Sequence, residues 1–167
     1  PENSDYSYTV KDLIEYYTDK DISTLLLINP DNPSGNYIKK ADVLELAKWA
    51  QQKGIVLIVD ESFVDFVDIE ESGMLLKEKI LQNYSNLIVV KSISKSFGVP
   101  GLRLGFLASS NTDLINSLKK DVSIWNINSF AEFYLQIFEK YKSDYKKAMK
   151  EFIKVRKVFI EELSKIS

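Results

Sequence analysis

Between residues 91 and 105 the chain reads Lys91-Ser92-Ile93-Ser94-Lys95-Ser96-Phe97-Gly98-Val99-Pro100-Gly101-Leu102-Arg103-Leu104-Gly105. The apolar run Leu87-Ile88-Val89-Val90 precedes it and has the continuous hydrophobicity of a buried strand. A second apolar run, Leu104 to Ala108, follows it. The turn between them is rich in serine and glycine, which suits an oxyanion because backbone N–H groups can approach it closely. Arg103 adds a forked, charge-assisted partner for a phosphate. Lys95 lies at the centre, with the bulky Phe97 two residues on. A lysine that acts as a nucleophile works best half-desolvated, since burial lowers its pKa. The pattern therefore suggests an anion-binding turn around a reactive lysine, with a basic surface loop as the alternative that composition alone allows.

The flanking segments predict an α/β fold. Thr24–Ile28 and Ile55–Val59 are further continuous apolar runs, and Leu104–Ala108 predicts a fourth strand. Val10, Leu13, Ile14 and Tyr17 recur at helical spacing across Thr9–Thr18. Val43, Leu44, Ala47 and Ala50 do so from Lys40 onward, with Gly54 where a helix C-terminus wants it. Leu75, Leu76, Lys79 and Ile80 suggest another helix, and Asn111 offers an N-cap for one running through Lys120. Residues 128–139 and 141–166 read as two more helices, the last amphipathic and lysine-rich. Strand–helix alternation implies a mostly parallel sheet with helices on both faces. In such sheets ligands collect at the carboxyl ends of the strands. The polar loops after residues 28, 59 and 90 all lie at those ends, which points to one shared site.

Composition narrows the chemistry. A length of 167 residues suggests one domain, and 45% hydrophobic with 28% charged residues is ordinary for a globular protein. The net charge of −2 gives no reason to expect nucleic acid or an anionic membrane as partner. Without cysteine there are no disulfides or thiolate metal sites. Without histidine, Ser–His and His–metal chemistry is excluded, and a general base must be Lys, Asp, Glu or Tyr. No apolar run approaches the ~18 residues of a membrane span. The first residues carry no basic-then-apolar signal, so a cytoplasmic location is the expectation.

The order Ser92-x-Ser94-Lys95-x-x-Gly98-x-x-Gly101-x-Arg103-x-Gly105 resembles the Schiff-base lysine signature of the fold-type I pyridoxal phosphate (PLP) enzymes, the class I/II aminotransferase family. Asn29-Pro30-Asp31-Asn32-Pro33-Ser34-Gly35 resembles that family's Asn-Pro-x-Asn-Pro-Thr/Ser-Gly motif. Ile58-Val59-Asp60-Glu61-Ser62-Phe63 resembles its Asp-x-Ala-Tyr motif, and the three occur in family order. The resemblance implies pyridoxal 5′-phosphate as cofactor and Lys95 as the catalytic residue that binds it. It implies that Asp60 faces the pyridine nitrogen and keeps it protonated, and that Asn32 donates to the ring oxygen. Ser92, Ser94 and Arg103 would hold the 5′-phosphate. Phe63 stands where many members have a tyrosine and cannot donate a hydrogen bond. Tyr37 and Trp125 are aromatics for the pocket wall or, more simply, for the core or its edge.

Phe63-x-Asp65-Phe66, the run Val99 to Gly105, and Trp125 with Asn128 are closer to one branch. That branch holds the histidinol-phosphate aminotransferases and the threonine-phosphate decarboxylases. The implied reaction is amino-group transfer between an amino acid or amine and a 2-oxo acid. Decarboxylation of the threonine-phosphate type and a catalytically inactive structural fragment stay open. The resemblance runs over roughly residues 22–139, and family members are more than twice as long. It implies a partial PLP-binding large domain (1–139), then a helix (140–167) leading toward a small domain, in an enzyme that is a homodimer when intact.

Overall fold

The computed structural model describes residues 4–68 and 73–166. Four strands form one sheet: β1 (Thr24–Ile28), β2 (Val56–Asp60), β3 (Leu87–Ser92) and β4 (Gly105–Ala108), in that spatial order. β1, β2 and β3 are parallel, with Thr24 opposite Val56 and Leu57 opposite Leu87. β4 runs antiparallel to β3, with Ser92 opposite Gly105. The mostly parallel α/β sheet is the one expected from the strand–helix alternation.

The helices are α1 (Val10–Tyr17), α2 (Lys40–Gln52), α3 (Glu78–Asn83), α4 (Thr112–Asp121) and α5 (Ser129–Leu163). α1 starts at a capping box, in which the Thr9 side chain accepts from the Asp12 N–H and Asp12 accepts from the Thr9 N–H at 2.8 Å. α2 ends at Gly54, whose φ of +72° is the left-handed conformation such an ending needs. Asn111 caps α4 as expected, its side chain accepting from the Leu114 N–H at 3.0 Å. α3 begins after Leu75 and Leu76, and Leu75 is buried ahead of it.

Strand order runs in one direction, so two right-handed crossovers place their helices on the same side. The core accordingly lies on one face. Leu25, Leu27, Leu57, Val59, Leu87 and Val89 meet Val43, Leu46, Ala47 and Ala50 of α2, with Ile80 and Leu81 of α3 beside them. The alternate residues point the other way, and Leu26 on that second face is 59% exposed.

One expectation is corrected. Residues 128–139 and 141–166 are not two helices, because α5 is continuous from Ser129 to Leu163. Nothing in that segment stops a helix: it has no proline or glycine, and Glu139-Lys140-Tyr141-Lys142 continues it. The boundary drawn between residues 139 and 140 therefore falls inside α5. A smaller apolar cluster of Ile93, Leu104 and Ala131, with Phe97, Leu102 and Tyr134 against it, joins the start of α5 to the end of β3.

Candidate functional site

The site is built where β2 and β3 end. Asp60 is the last residue of β2, and its Oδ1 accepts from the Ser62 N–H at 2.8 Å. Ser62 Oγ in turn accepts from the Ser92 N–H at 2.9 Å, and Ser92 Oγ from the Ser94 N–H at 3.2 Å. Each link is a short side chain satisfying a backbone donor that has just left the ladder. This relay fixes the end of β3 against the end of β2. Asp60 Oδ2 engages no protein donor among the described residues. Asp60, Ser92, Ser94 and Arg103 line one cavity of about 310 Å³, with Ser62 and Gly105 in its wall.

Arg103 closes the Lys95 turn with left-handed backbone, φ 53°. One guanidinium nitrogen donates to the Pro100 carbonyl at 3.2 Å, so the side chain is tied to its own turn rather than to a carboxylate. Its remaining N–H groups are on an exposed side chain. Gly105 leaves no room for a side chain, since a Cβ there would lie 2.9 Å from the Lys91 carbonyl oxygen.

Asn32 and Lys95 are placed apart from that group. Asn32 is exposed and lines a second cavity of about 410 Å³ with Tyr37, Phe63, Phe66 and Arg156. Lys95 lines neither cavity, but its Nζ lies 5.8 Å from the Phe63 ring centroid, and Phe63 belongs to the Asn32 cavity. The half-desolvated surroundings expected for Lys95 are not found: the residue is exposed. The physical reason is the direction of Phe97, which turns away from the lysine to stack on Tyr145 of α5, ring centroids 4.3 Å apart. Trp125 is likewise not a core aromatic, being 89% exposed, whereas Tyr37 does reach a cavity wall.

Several buried polar groups around the site lie within the quoted stretches but were given no role there. Asn29 donates to the Ile38 carbonyl at 2.9 Å and accepts from its N–H at 2.8 Å, holding the loop after β1 closed. Lys91 is 5% exposed and pairs with Asp65 at 2.7 Å. Glu61, next to Asp60, is 2% exposed, and its Oε1 accepts from the Leu75 N–H at 2.7 Å. Burial pushes the Glu61 carboxyl above the usual range, opposed by the Leu75 N–H and by Lys91. The stretches name these residues without saying which way their side chains point. No group of acidic side chains among the described residues is arranged to hold a metal ion.

Comparison with known proteins shows the family. A family model described as aminotransferase class I and II matches residues 1–167. The chain is 36% identical over 158 residues to an L-serine phosphate decarboxylase from Sulfurospirillum multivorans, covering 92% of this chain and 39% of that one. It is 34% identical over 169 residues to a histidinol-phosphate aminotransferase from Caldanaerobacter subterraneus, covering 99% and 44%. The crystal structure of the histidinol-phosphate aminotransferase from Clostridium acetobutylicum superposes with a TM-score of 0.80 at 31% identity, covering 99% of this chain and 48% of that chain. The chain thus spans less than half the length of these relatives. Matched along its length by that family's model and carrying its fold, the chain belongs to the class I and II aminotransferases, a PLP-dependent family.

Proposed function

We propose that this chain supplies the cofactor-bearing part of an enzyme that transfers an amino group between an amino acid or amine and a 2-oxo acid. The observation that carries the reading is the single cavity shared by Asp60, Ser92, Ser94 and Arg103 at the ends of β2 and β3. PLP has a basic ring nitrogen at one end and a phosphate at the other, and the donor set fits both. The Asp60 carboxylate has Oδ2 available for a ring N–H⁺, while the serine hydroxyls and Arg103 suit the phosphate. Bound there, PLP supplies an electron sink that stabilises negative charge at a substrate carbon.

The chain's own residues have four tasks. Asp60 holds a proton at the ring nitrogen by charge pairing. Ser92 and Ser94 orient the phosphate, their own positions set by the Ser62 relay. Arg103 neutralises it from a turn already tied to Pro100. Lys95 would hold the cofactor through its amine, and that amine would move a proton at the substrate α-carbon. Asn32 would donate to the ring oxygen from the loop after β1, where it lines the other cavity with Phe63. In this reading, residues 1–139 are part of the large domain, residues 140–167 lead toward a small domain, the intact enzyme is a homodimer, and its location is cytoplasmic.

A second reading, decarboxylation of a phosphorylated amino acid, is favoured by the 36% identity to the L-serine phosphate decarboxylase. Equilibrium dialysis against PLP tests the site. Asp60→Ala and Arg103→Ala are each expected to weaken binding at least about tenfold, as loss of a charge-assisted contact does. Binding unchanged in both variants would remove the proposal. Assays for a 2-oxo product dependent on an added acceptor, against CO₂ release without one, separate the two reactions.

A further inference from the structure

Lys95 makes few contacts of its own, and its two C-terminal neighbours make many. Ser96 Oγ donates to Asp65 Oδ2 at 2.6 Å. The same oxygen receives Lys91 Nζ at 2.7 Å, in an ion pair whose side chains are 5% and 13% exposed. Asp65 thus joins the strand residue before the turn to the residue after the lysine. Phe97 lies parallel to Tyr145, with ring planes 6° apart, and packs on Phe138 at 4.9 Å. Phe138 and Tyr145 are two helical turns apart on α5, so they share one stripe facing the turn. α5 is itself pinned there, because Asn128 Nδ2 at its N-cap donates to the Leu102 carbonyl at 2.8 Å. The Tyr145 hydroxyl is buried beside Ser96 and Asp65. Burial pushes it up to about 12, so it stays a neutral O–H.

We infer that Asp65 and Tyr145 are positioning residues for Lys95, gripping Ser96 and Phe97 so that the amine is presented from a fixed turn. The inference rests on the proposed role of Lys95 as the cofactor-bearing residue. Neither Asp65 nor Tyr145 lines the cavity of Asp60 and Arg103 or that of Asn32, so both act through the backbone of the turn. The arrangement makes α5 part of the site although no residue of α5 lines the Asp60 cavity.

The test uses the 167-residue chain with Tyr145→Leu, Tyr145→Phe and Ser96→Ala. Two readouts are taken: hydrogen exchange of the peptide spanning Ser94–Gly98, which needs no cofactor, and the absorbance-monitored rate at which PLP attaches to Lys95. Tyr145→Leu is expected to speed that exchange, and to slow attachment, by up to about tenfold, the scale of one aromatic pair. Tyr145→Phe keeps the ring and is expected to stay within about twofold on both. Ser96→Ala is expected to move both readouts in the same direction as Tyr145→Leu. A purely structural role would lower the melting temperature while leaving exchange at 94–98 and the attachment rate unchanged, and that result overturns the inference. Faster exchange in the variants of a chain whose wild type never attaches PLP supports the grip on the turn and removes the cofactor assignment instead. If Tyr145→Leu does not fold, Ser96→Ala decides by the same readouts, since it deletes only one hydroxyl.

Discussion

Gly105 and Gly101 lie four positions apart in one turn, and their surroundings set opposite expectations. A Cβ at Gly105 would sit 2.9 Å from the Lys91 carbonyl oxygen, whereas Gly101 has nothing within 4 Å and no left-handed φ. Gly105→Ala is expected to destabilise by about 1–3 kcal/mol through overpacking. Gly101→Ala is expected to be neutral, or stabilising by roughly 0.4–1 kcal/mol through the unfolded chain. Urea midpoints that fall equally for both would contradict the packing. Glu61 gives a pH signature. Its folded pKa is raised by burial above the ordinary glutamate value, so it favours the native state only while protonated. That contribution is complete below the ordinary value and is lost as pH rises through the raised one. Glu61→Gln is therefore expected to flatten the fall in stability between mildly acidic and neutral pH, and urea unfolding at the two pH values would show an unchanged slope if this is wrong. Of the residues named by motif, Asp60, Ser92, Ser94 and Arg103 share one cavity wall, whereas Asn32 and Lys95 lie apart from them. Phe97 was not legible, since sequence places a ring near Lys95 without giving its rotamer, and the rotamer follows Tyr145. The Lys91–Asp65 pair was hidden for a similar reason: its partners are far apart in sequence and meet only when β3 sits beside β2.

The strands and short helices followed from their patterns, because continuous apolar runs and the Asn111 cap are local signals. α5 did not, since its polar middle around Glu139–Lys142 looks like a break when periodicity is judged in short windows. The decisive cue was the absence of any helix stopper between Ser129 and Leu163. Lys140→Pro discriminates the two descriptions. In one continuous helix it removes the backbone hydrogen bond from the residue 140 N–H to the Gln136 carbonyl and is expected to cost about 3 kcal/mol or more. Circular dichroism should show lost helix and a lower melting temperature. A variant with unchanged ellipticity and melting would mean that the segment bends at residue 140.

For the molecule as a whole, the one-way strand order places the core on a single face and leaves Leu26 on the other. β1 also lies at the sheet edge, with no strand on its outer side among the described residues. An exposed Leu26 on an unpaired edge strand favours association. The 167-residue chain is expected to self-associate with rising concentration, and Leu26→Lys to reduce this with little change in stability. Sedimentation velocity showing the same association in both would contradict it. Parallel topology was legible from alternation, but which face would be covered depends on strand order, which alternation does not encode. The Lys95 amine is proposed to bind PLP from a turn held between β3 and α5. The most direct measurement is borohydride reduction of the chain after PLP addition, followed by peptide mass mapping. The account predicts a pyridoxyl group on Lys95 and its loss in Lys95→Ala. Label confined to other lysines, or equal label in the variant, would contradict it.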